Sequence, residues 1–297
     1  MSLKRILAVT LVLAFAACNA KTKQVSAGFD NVNEGKVAVV TTISTLNSFV
    51  EAVGGDHVTV QNIVPIGASP ETYQPTPQDI ATLSQAQLLV ENGAGLETWL
   101  EKMLANVGSS TLKTVVCADG LPMKGLNPHL WMDPVLAKQY VLKIRDGLVA
   151  VDPTHASEYT RNADSYNTRL DYLRKKIQWE IDTIPPSQRY MIVFHNAWQY
   201  YNDRFGITTL GIVEANPGQE SNPQQIASII DLAKQHGVHA VFSEPEYSPK
   251  ILQSIAQGAG VKVVEDLYDD SVGTNPRVAN YTSMMQYDTD VIVAALK

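Results

Sequence analysis

Two of the six histidines stand where they could do chemistry. His129 and His195 each lie past an apolar run that reads as a buried strand. Each is beside aromatics that would exclude water, Trp131 for the first and Trp198, Tyr200 and Tyr201 for the second. Glu71 and Asp270 occupy equivalent positions past other apolar runs, the latter in a loop that also carries Asp266 and Asp269. One imidazole and one carboxylate from each half of the chain would make a four-ligand cage for a divalent transition metal. Four unrelated surface residues are the alternative. The other histidines, His57, His155, His236 and His239, fall at strand or helix ends, and His236 before Gly237 suits a helix C-terminus.

The elements that must hold these residues alternate strand and helix. In the first half, strands are expected at Val37–Val40, Val58–Val64, Leu88–Val90 and Thr114–Cys117, with helices from Leu46 to Val53, after Thr76, entered through the stretch Gly93 to Leu100, and up to about Val149. Thr76-Pro77-Gln78-Asp79 has the form of a capping box with proline in the first turn. Gly93-Ala94-Gly95 lacks the third glycine of a nucleotide loop and reads as tight packing at a strand-to-helix turn. In the second half, strands are expected at Met191–Phe194, Thr208–Val213, Val238–Phe242 and Val261–Val264. Helices are expected from Asn222 to about Gln235, from Pro249 to Gln257 and from Tyr281 to Leu296. Such alternation implies parallel sheets whose binding groups lie beyond the strands' carboxyl ends.

Between the halves, His155 to Ile184 carries Tyr159, Ala163, Tyr166, Leu170, Leu173, Ile177 and Ile181 at steps of four and three. That spacing makes one apolar helical face, and Pro185-Pro186 ends the run. About 30 residues would span roughly 45 Å. A coiled-coil arm is the alternative, but the flanks carry neither heptads nor further long helices. The fold class is therefore α/β, with two lobes, each a parallel-rich sheet flanked by helices, joined by one long rigid backbone helix. The expected division is 36–150, 151–186 and 187–297.

With 297 residues the chain has room for two cores, and its net charge of -7 argues against nucleic acid while mildly favouring a cationic ligand. Lys4-Arg5, an apolar run from Ile6 to Ala17 and then Ala16-Ala17-Cys18 form an export signal too short to span a membrane. The run resembles a bacterial lipoprotein signal, with Phe15 departing from the usual leucine. Residues 1–17 then leave, Cys18 is lipidated, and residues 18–35 form a flexible tether. Ordinary cleavage near Ala16 or Ala20 is the alternative. Cys117 is the only other cysteine, so no disulfide is expected and its thiol should be buried.

Over essentially the whole mature chain the sequence resembles the cluster A-I (cluster 9) metal-binding solute-binding proteins of ABC transporters. The matching stretches are Val53-Gly54-Gly55-Asp56, Tyr73-Gln74-Pro75-Thr76-Pro77-Gln78-Asp79, Asn92-Gly93-Ala94-Gly95-Leu96-Glu97, Asn127-Pro128-His129-Leu130-Trp131-Met132-Asp133-Pro134, Phe194-His195-Asn196-Ala197-Trp198 and Asp270-Ser271. The resemblance implies two α/β lobes bridged by a backbone helix that permits small lobe movements. It also implies a cargo of zinc, manganese or iron(II), delivered to a permease and its ATPase by a receptor that is lipid-anchored and monomeric.

Residue by residue, His129 matches the family's second ligand, His195 the third and Asp270 the fourth. The first is normally histidine, where this chain has Glu71 in Ser69-Pro70-Glu71-Thr72-Tyr73. Two histidines with two carboxylates form a harder set than three histidines with one aspartate, which favours manganese or iron over zinc. No histidine lies between Lys102 and Asn127, where zinc-specific members often carry a His-rich loop. A competing function is a metallohydrolase using the same cage with an open water position, Glu220, Glu244 or Glu246 serving as base. A structural or adhesive surface protein is a third, which requires that no metal bind.

Overall fold

The computed structural model describes Phe29 and residues 35–297, apart from 109–110, 215–217, 220 and 266. The export signal, Cys18 and most of the tether lie outside the described residues, as do Glu220 and Asp266.

The first sheet comprises β1 (Val37–Thr41), β2 (Val58–Asn62), β3 (Leu88–Glu91) and β4 (Lys113–Val116), parallel throughout and ordered β2-β1-β3-β4. The second comprises β5 (Tyr190–His195), β6 (Thr208–Glu214), β7 (Ala240–Phe242) and β8 (Lys262–Val264), ordered β6-β5-β7-β8 and again parallel. One winding is thus used twice. In each sheet the chain reverses direction across the first strand, where α/β sheets place ligands at the strands' carboxyl ends. Helices α1 (Ser44–Gly54), α2 (Pro77–Ser84), α3 (Leu100–Val107) and α4 (Pro134–Val151) flank the first sheet. Helices α6 (Gln199–Phe205), α7 (Pro223–His236), α8 (Lys250–Ala259) and α9 (Tyr281–Leu296) belong to the second half.

The connecting helix α5 runs from Ala156 to Ile181, and its buried residues are the seven that the spacing marked. It is shorter than the expected run. Pro153–His155 forms a 3-10 turn instead, where Asp152 accepts hydrogen bonds from His155 Nδ1 (2.6 Å) and the Tyr159 hydroxyl (2.6 Å). At the other end Pro185 disfavours helix in the residue before it, and α5 stops four residues earlier. Its 26 residues still span about 39 Å. The apolar face packs on α1, α4 and α9, making one core continuous across both halves. Helix α9 and the loop before it close that core from the second half: the Tyr281 ring packs tilted against Phe49 with centroids 4.6 Å apart, and the Tyr281 and Val272 N–H groups donate to the Ser48 and Ser44 hydroxyls.

The strand-to-helix turn read at Gly93-Ala94-Gly95 forms, with all three residues at positive φ, and helix α3 begins beyond it at Leu100. A Cβ at Gly93 would collide with Val116, so the glycine there serves close packing. Helix α6 was not foreseen; its seven residues are too few for a period to show. The capping box at Thr76 forms as read, and Cys117 is a buried free thiol. Among the described residues no helix is long and apolar enough to cross a membrane.

Candidate metal centre

His195 is the last residue of the central strand β5 rather than the first of a loop, so its backbone is fixed by the ladder to β6. The loop after β4 carries His129 into a 3-10 turn, Leu130–Met132, that leads to α4. Glu71 lies in the loop between β2 and α2, where the Trp99 indole donates to the Pro70 carbonyl at 2.8 Å. Asp270 follows β8, and the carbonyl of its neighbour Asp269 accepts from Trp131 Nε1 at 2.8 Å, which fastens the Asp270 loop to the His129 loop.

His129, His195 and Asp270 meet, their ligand atoms all within 4.8 Å of one another, and Glu71 stands beside His129. His129 Nε2 lies 3.2 Å from Asp270 Oδ1 and 3.8 Å from Glu71 Oε1, and His195 Nε2 lies 3.8 Å from Asp270 Oδ2. Donors about 2.1 Å from a tetrahedral ion would be about 3.4 Å apart, so the spacing of His129, His195 and Asp270 suits one ion. His129, His195 and Asp270 are buried, and the Glu71 side chain keeps only 11% of its surface. Both Nε2 atoms, both Asp270 oxygens and Glu71 Oε2 are buried without a hydrogen-bond partner. Buried polar atoms are nearly always paired, so the four unpaired ones of His129, His195 and Asp270 grouped together, with another on Glu71 nearby, mark a place for a ligand that accepts lone pairs.

Both imidazoles are oriented from behind. His195 Nδ1 donates to Glu244 Oε2 at 3.1 Å, with Asp269 Oδ2 at 3.8 Å. His129 Nδ1 donates to Asn127 Oδ1 at 2.8 Å. Each bond places the ring proton on Nδ1 and leaves the Nε2 lone pair facing the meeting point. Rings cover the imidazoles, Trp131 at 5.1 Å from His129 and Tyr247 at 5.1 Å from His195.

Electrostatically the site is short of positive charge. Glu71, Glu244, Glu246, Asp269 and Asp270 surround two imidazoles. Burial pushes Glu71 upward, with Asp270 adding to it, and burial likewise raises Glu244 and, more strongly, Asp269. Glu246 is pushed up to about 7 by burial and by Asp270. Asp270 moves the other way, because His129 and His195 outweigh its burial. Burial would lower His195, yet the carboxylates of Asp269 and Glu244 hold it well above the ordinary imidazole value. A divalent cation would supply the missing charge and displace those protons.

The sequence reading named Glu71, His129, His195 and Asp270 as candidates; the structure groups the last three with Glu71 beside His129, and the layer behind them was not foreseen. Glu244 and Glu246, considered there as hydrolytic bases, are turned away from an open cleft: Glu244 holds His195, and Glu246 accepts from the Ser271 hydroxyl at 2.8 Å. Asp269 stands on the Nδ1 side of His195 and Asp270 on the Nε2 side. No spacing rule could have found Glu244, 49 residues from its partner. A cleft of about 310 Å³, lined in part by Glu71, Asn127, His129, His195, Asn196 and Glu214, opens the site to solvent. His57 and His155 stack on one another at 3.8 Å, away from this site, beside Glu158 and Asp152.

The family model described as "Zinc-uptake complex component A periplasmic" (ZnuA) matches residues 39–295. A manganese-binding lipoprotein, MntA, of Halalkalibacterium halodurans is 33% identical over 293 residues, 97% of this chain and 96% of the relative. The iron-binding protein YfeA of Yersinia pestis is 32% identical over 267 residues, 86% of this chain and 85% of the relative. Among solved structures, the Mn-bound periplasmic metal-binding protein of Candidatus Liberibacter asiaticus superposes with a TM-score of 0.80 at 25% identity, covering 88% of this chain and all of that one. The periplasmic zinc-binding protein TroA of Treponema pallidum shares the fold with a TM-score of 0.82 at 24% identity, covering 88% of this chain and 99% of that one. The chain belongs to the ZnuA family of metal-binding solute-binding proteins of ABC transporters.

Proposed function

We propose that a divalent transition metal is captured by Glu71, His129, His195 and Asp270 and handed from there to a membrane permease. As a member of its family the chain is an extracytoplasmic solute-binding protein, not an enzyme, and works with an ABC permease and its ATPase. The cage assignment rests on one observation above the others: His129, His195 and Asp270 bring buried ligand atoms without partners within 4.8 Å of one another, and Glu71, 3.8 Å from His129 Nε2, is the side chain next to them. Two carboxylates and two imidazoles make a donor set harder than one of three imidazoles, and so favour manganese or iron(II) over zinc. The manganese-binding and iron-binding descriptions of the two relatives support that leaning.

In this reading residues 1–17 are removed, Cys18 carries the lipid and residues 18–35 tether a monomeric receptor to the membrane. Residues 36–150 and 187–297 act as the two lobes, and residues 151–186 hold them at a nearly fixed separation. The test is metal analysis of protein purified without added metal or affinity tag, followed by competition between manganese and zinc. One equivalent of tightly held metal in the parent, lost in His129→Ala and in His195→Ala with the fold intact, is the expected result. Parent-like binding in both variants would overturn the site.

A further inference from the structure

Asn127 was noticed in the sequence only as part of a motif. In the fold it is 6% exposed and uses its amide in both directions. Oδ1 accepts from the backbone N–H of His129 (3.0 Å) and from His129 Nδ1 (2.8 Å). Nδ2 donates to the Asn196 carbonyl (2.6 Å) and to Gln199 Oε1 (3.1 Å), both in the second half of the chain. The orientation of this amide is not arbitrary. A backbone N–H can only donate and a carbonyl can only accept, so the oxygen must face His129 and the nitrogen Asn196. With that oxygen fixed, His129 must carry its proton on Nδ1, and its Nε2 lone pair is turned to the meeting point.

The backbone on either side is held as well. The Tyr200 hydroxyl donates to the Asn127 carbonyl at 2.9 Å, and Asn92 Nδ2 donates to the Pro128 carbonyl at 3.0 Å. We infer that Asn127 is a positioning residue for metal capture, one that selects the tautomer of His129 and uses the segment after His195 to aim it. The inference rests on His129 being a metal ligand, as proposed above. It concerns how that ligand is held, and it gives the contact of Asn127 with Asn196 and Gln199, across the two halves, a role in binding strength.

The consequence is specific. Aspartate at this position keeps the acceptor for both N–H groups of His129 but sets an oxygen against the Asn196 carbonyl and Gln199 Oε1. Alanine removes both functions. Partners that orient a ligating imidazole typically contribute about 10–100-fold in metal affinity. Asn127→Ala should therefore weaken manganese and zinc binding by that range, and Asn127→Asp by a smaller factor, in each case with unchanged circular dichroism of the metal-free protein. Because the effect passes through His129, either substitution made on top of His129→Ala should change affinity by no more than about twofold. A residue that only stabilised the fold would cost the same in both backgrounds.

The measurement is competitive titration of the parent, the two Asn127 variants, His129→Ala and the two double variants with manganese and with zinc. Should Asn127→Ala fail to fold, the isosteric Asn127→Asp carries the test. Parent-like affinity in the folded Asn127 variants, or an equal loss with and without His129, would overturn the inference. If His129→Ala itself binds as the parent does, it is the ligand assignment that fails.

Discussion

The two histidines reach the same point from mirror-like places and are held in unlike ways. His129 sits on a loop of the first half, and a neutral amide accepts a hydrogen bond from its Nδ1. His195 ends a central strand of the second half, and Glu244 accepts from its Nδ1 with Asp269 close by. A carboxylate behind an imidazole raises its basicity and its strength as a ligand, whereas an amide fixes the tautomer without adding charge. The site therefore has one imidazole backed by a carboxylate on rigid backbone and one backed by an uncharged amide on a loop tied across the cleft. The carboxylates differ in the same sense. Asp270 is buried in a loop fastened by Trp131, while Glu71 is the most accessible of the four and lies in a loop held by the Trp99 indole and by the Gly67 N–H on the Ser271 hydroxyl. The more strongly held pair belongs to the second half.

The largest effects should come from deleting an imidazole. Each histidine-to-alanine change removes a bond to the ion outright, and both should exceed the roughly 10–100-fold that an orienting partner contributes. If the comparison is right, His195→Ala loses more than His129→Ala, a difference that titration calorimetry can rank. Equal losses would mean that the backing carboxylates add nothing. Next in size comes Glu244→Gln, which keeps an acceptor for His195 Nδ1 and removes the charge. It should weaken binding by about 10–100-fold and bring His195 closer to the condition of His129. Parent-like affinity in Glu244→Gln would remove the electrostatic half of the contrast.

What was legible beforehand follows from the range of the signals. The connecting helix was readable because its buried residues repeat over 26 positions, and a chance match that long is rare. The strands were readable as short apolar runs, and the loops beyond them named Glu71, His129, His195 and Asp270 as candidates. The family resemblance, not spacing, selected Asp270 over Asp269. Helix α6 was hidden by its length. The partners of the imidazoles were hidden for another reason. Glu244 is 49 residues from His195, and the Asn127 amide reaches across 69 residues to Asn196. Only the paired sheets bring those residues together.

The next effect is on pH, and its sign follows from the shifts. Burial would lower His195, but Asp269 and Glu244 hold it well above its ordinary value, and burial followed by Asp270 raises Glu71. Both groups are then more protonated in the metal-free fold than in a free chain, and binding must expel those protons. Affinity should fall as pH drops through the raised values, beginning above the ordinary imidazole value of about 6.5, by about tenfold per pH unit for each proton displaced. Calorimetry in two buffers of unlike ionisation enthalpy counts those protons. Glu244→Gln takes away one cause of the His195 shift, so its pH profile should move to lower pH than the parent's, while a change at Asn127 should leave that limb in place. An affinity flat between about pH 8 and pH 6 would contradict the protonated state of the His195 side.

The smallest effect concerns choice between metals, and it tests the least firmly held ligand. Glu71→His would give the first half two imidazoles and make the donor set softer, which favours zinc relative to manganese. The cavity changes little, since both side chains reach about the same distance from the backbone. The expected gain in the zinc-to-manganese ratio is on the order of tenfold, ~1.4 kcal/mol. Glu71→Gln should instead weaken both metals, because the amide keeps the shape and loses the charge that an ion between two carboxylates requires. Glu71 Oε1 is 3.8 Å from His129 Nε2 and Oε2 is buried without a partner, so the side chain is already turned inward. Competitive titration of the parent and both variants decides the matter. A ratio that is the same in all three proteins would mean that the ion is held by His129, His195 and Asp270 alone. The coordination position next to Glu71 would then be open to water, and the contrast between the two halves would become one of ligand number rather than of ligand strength.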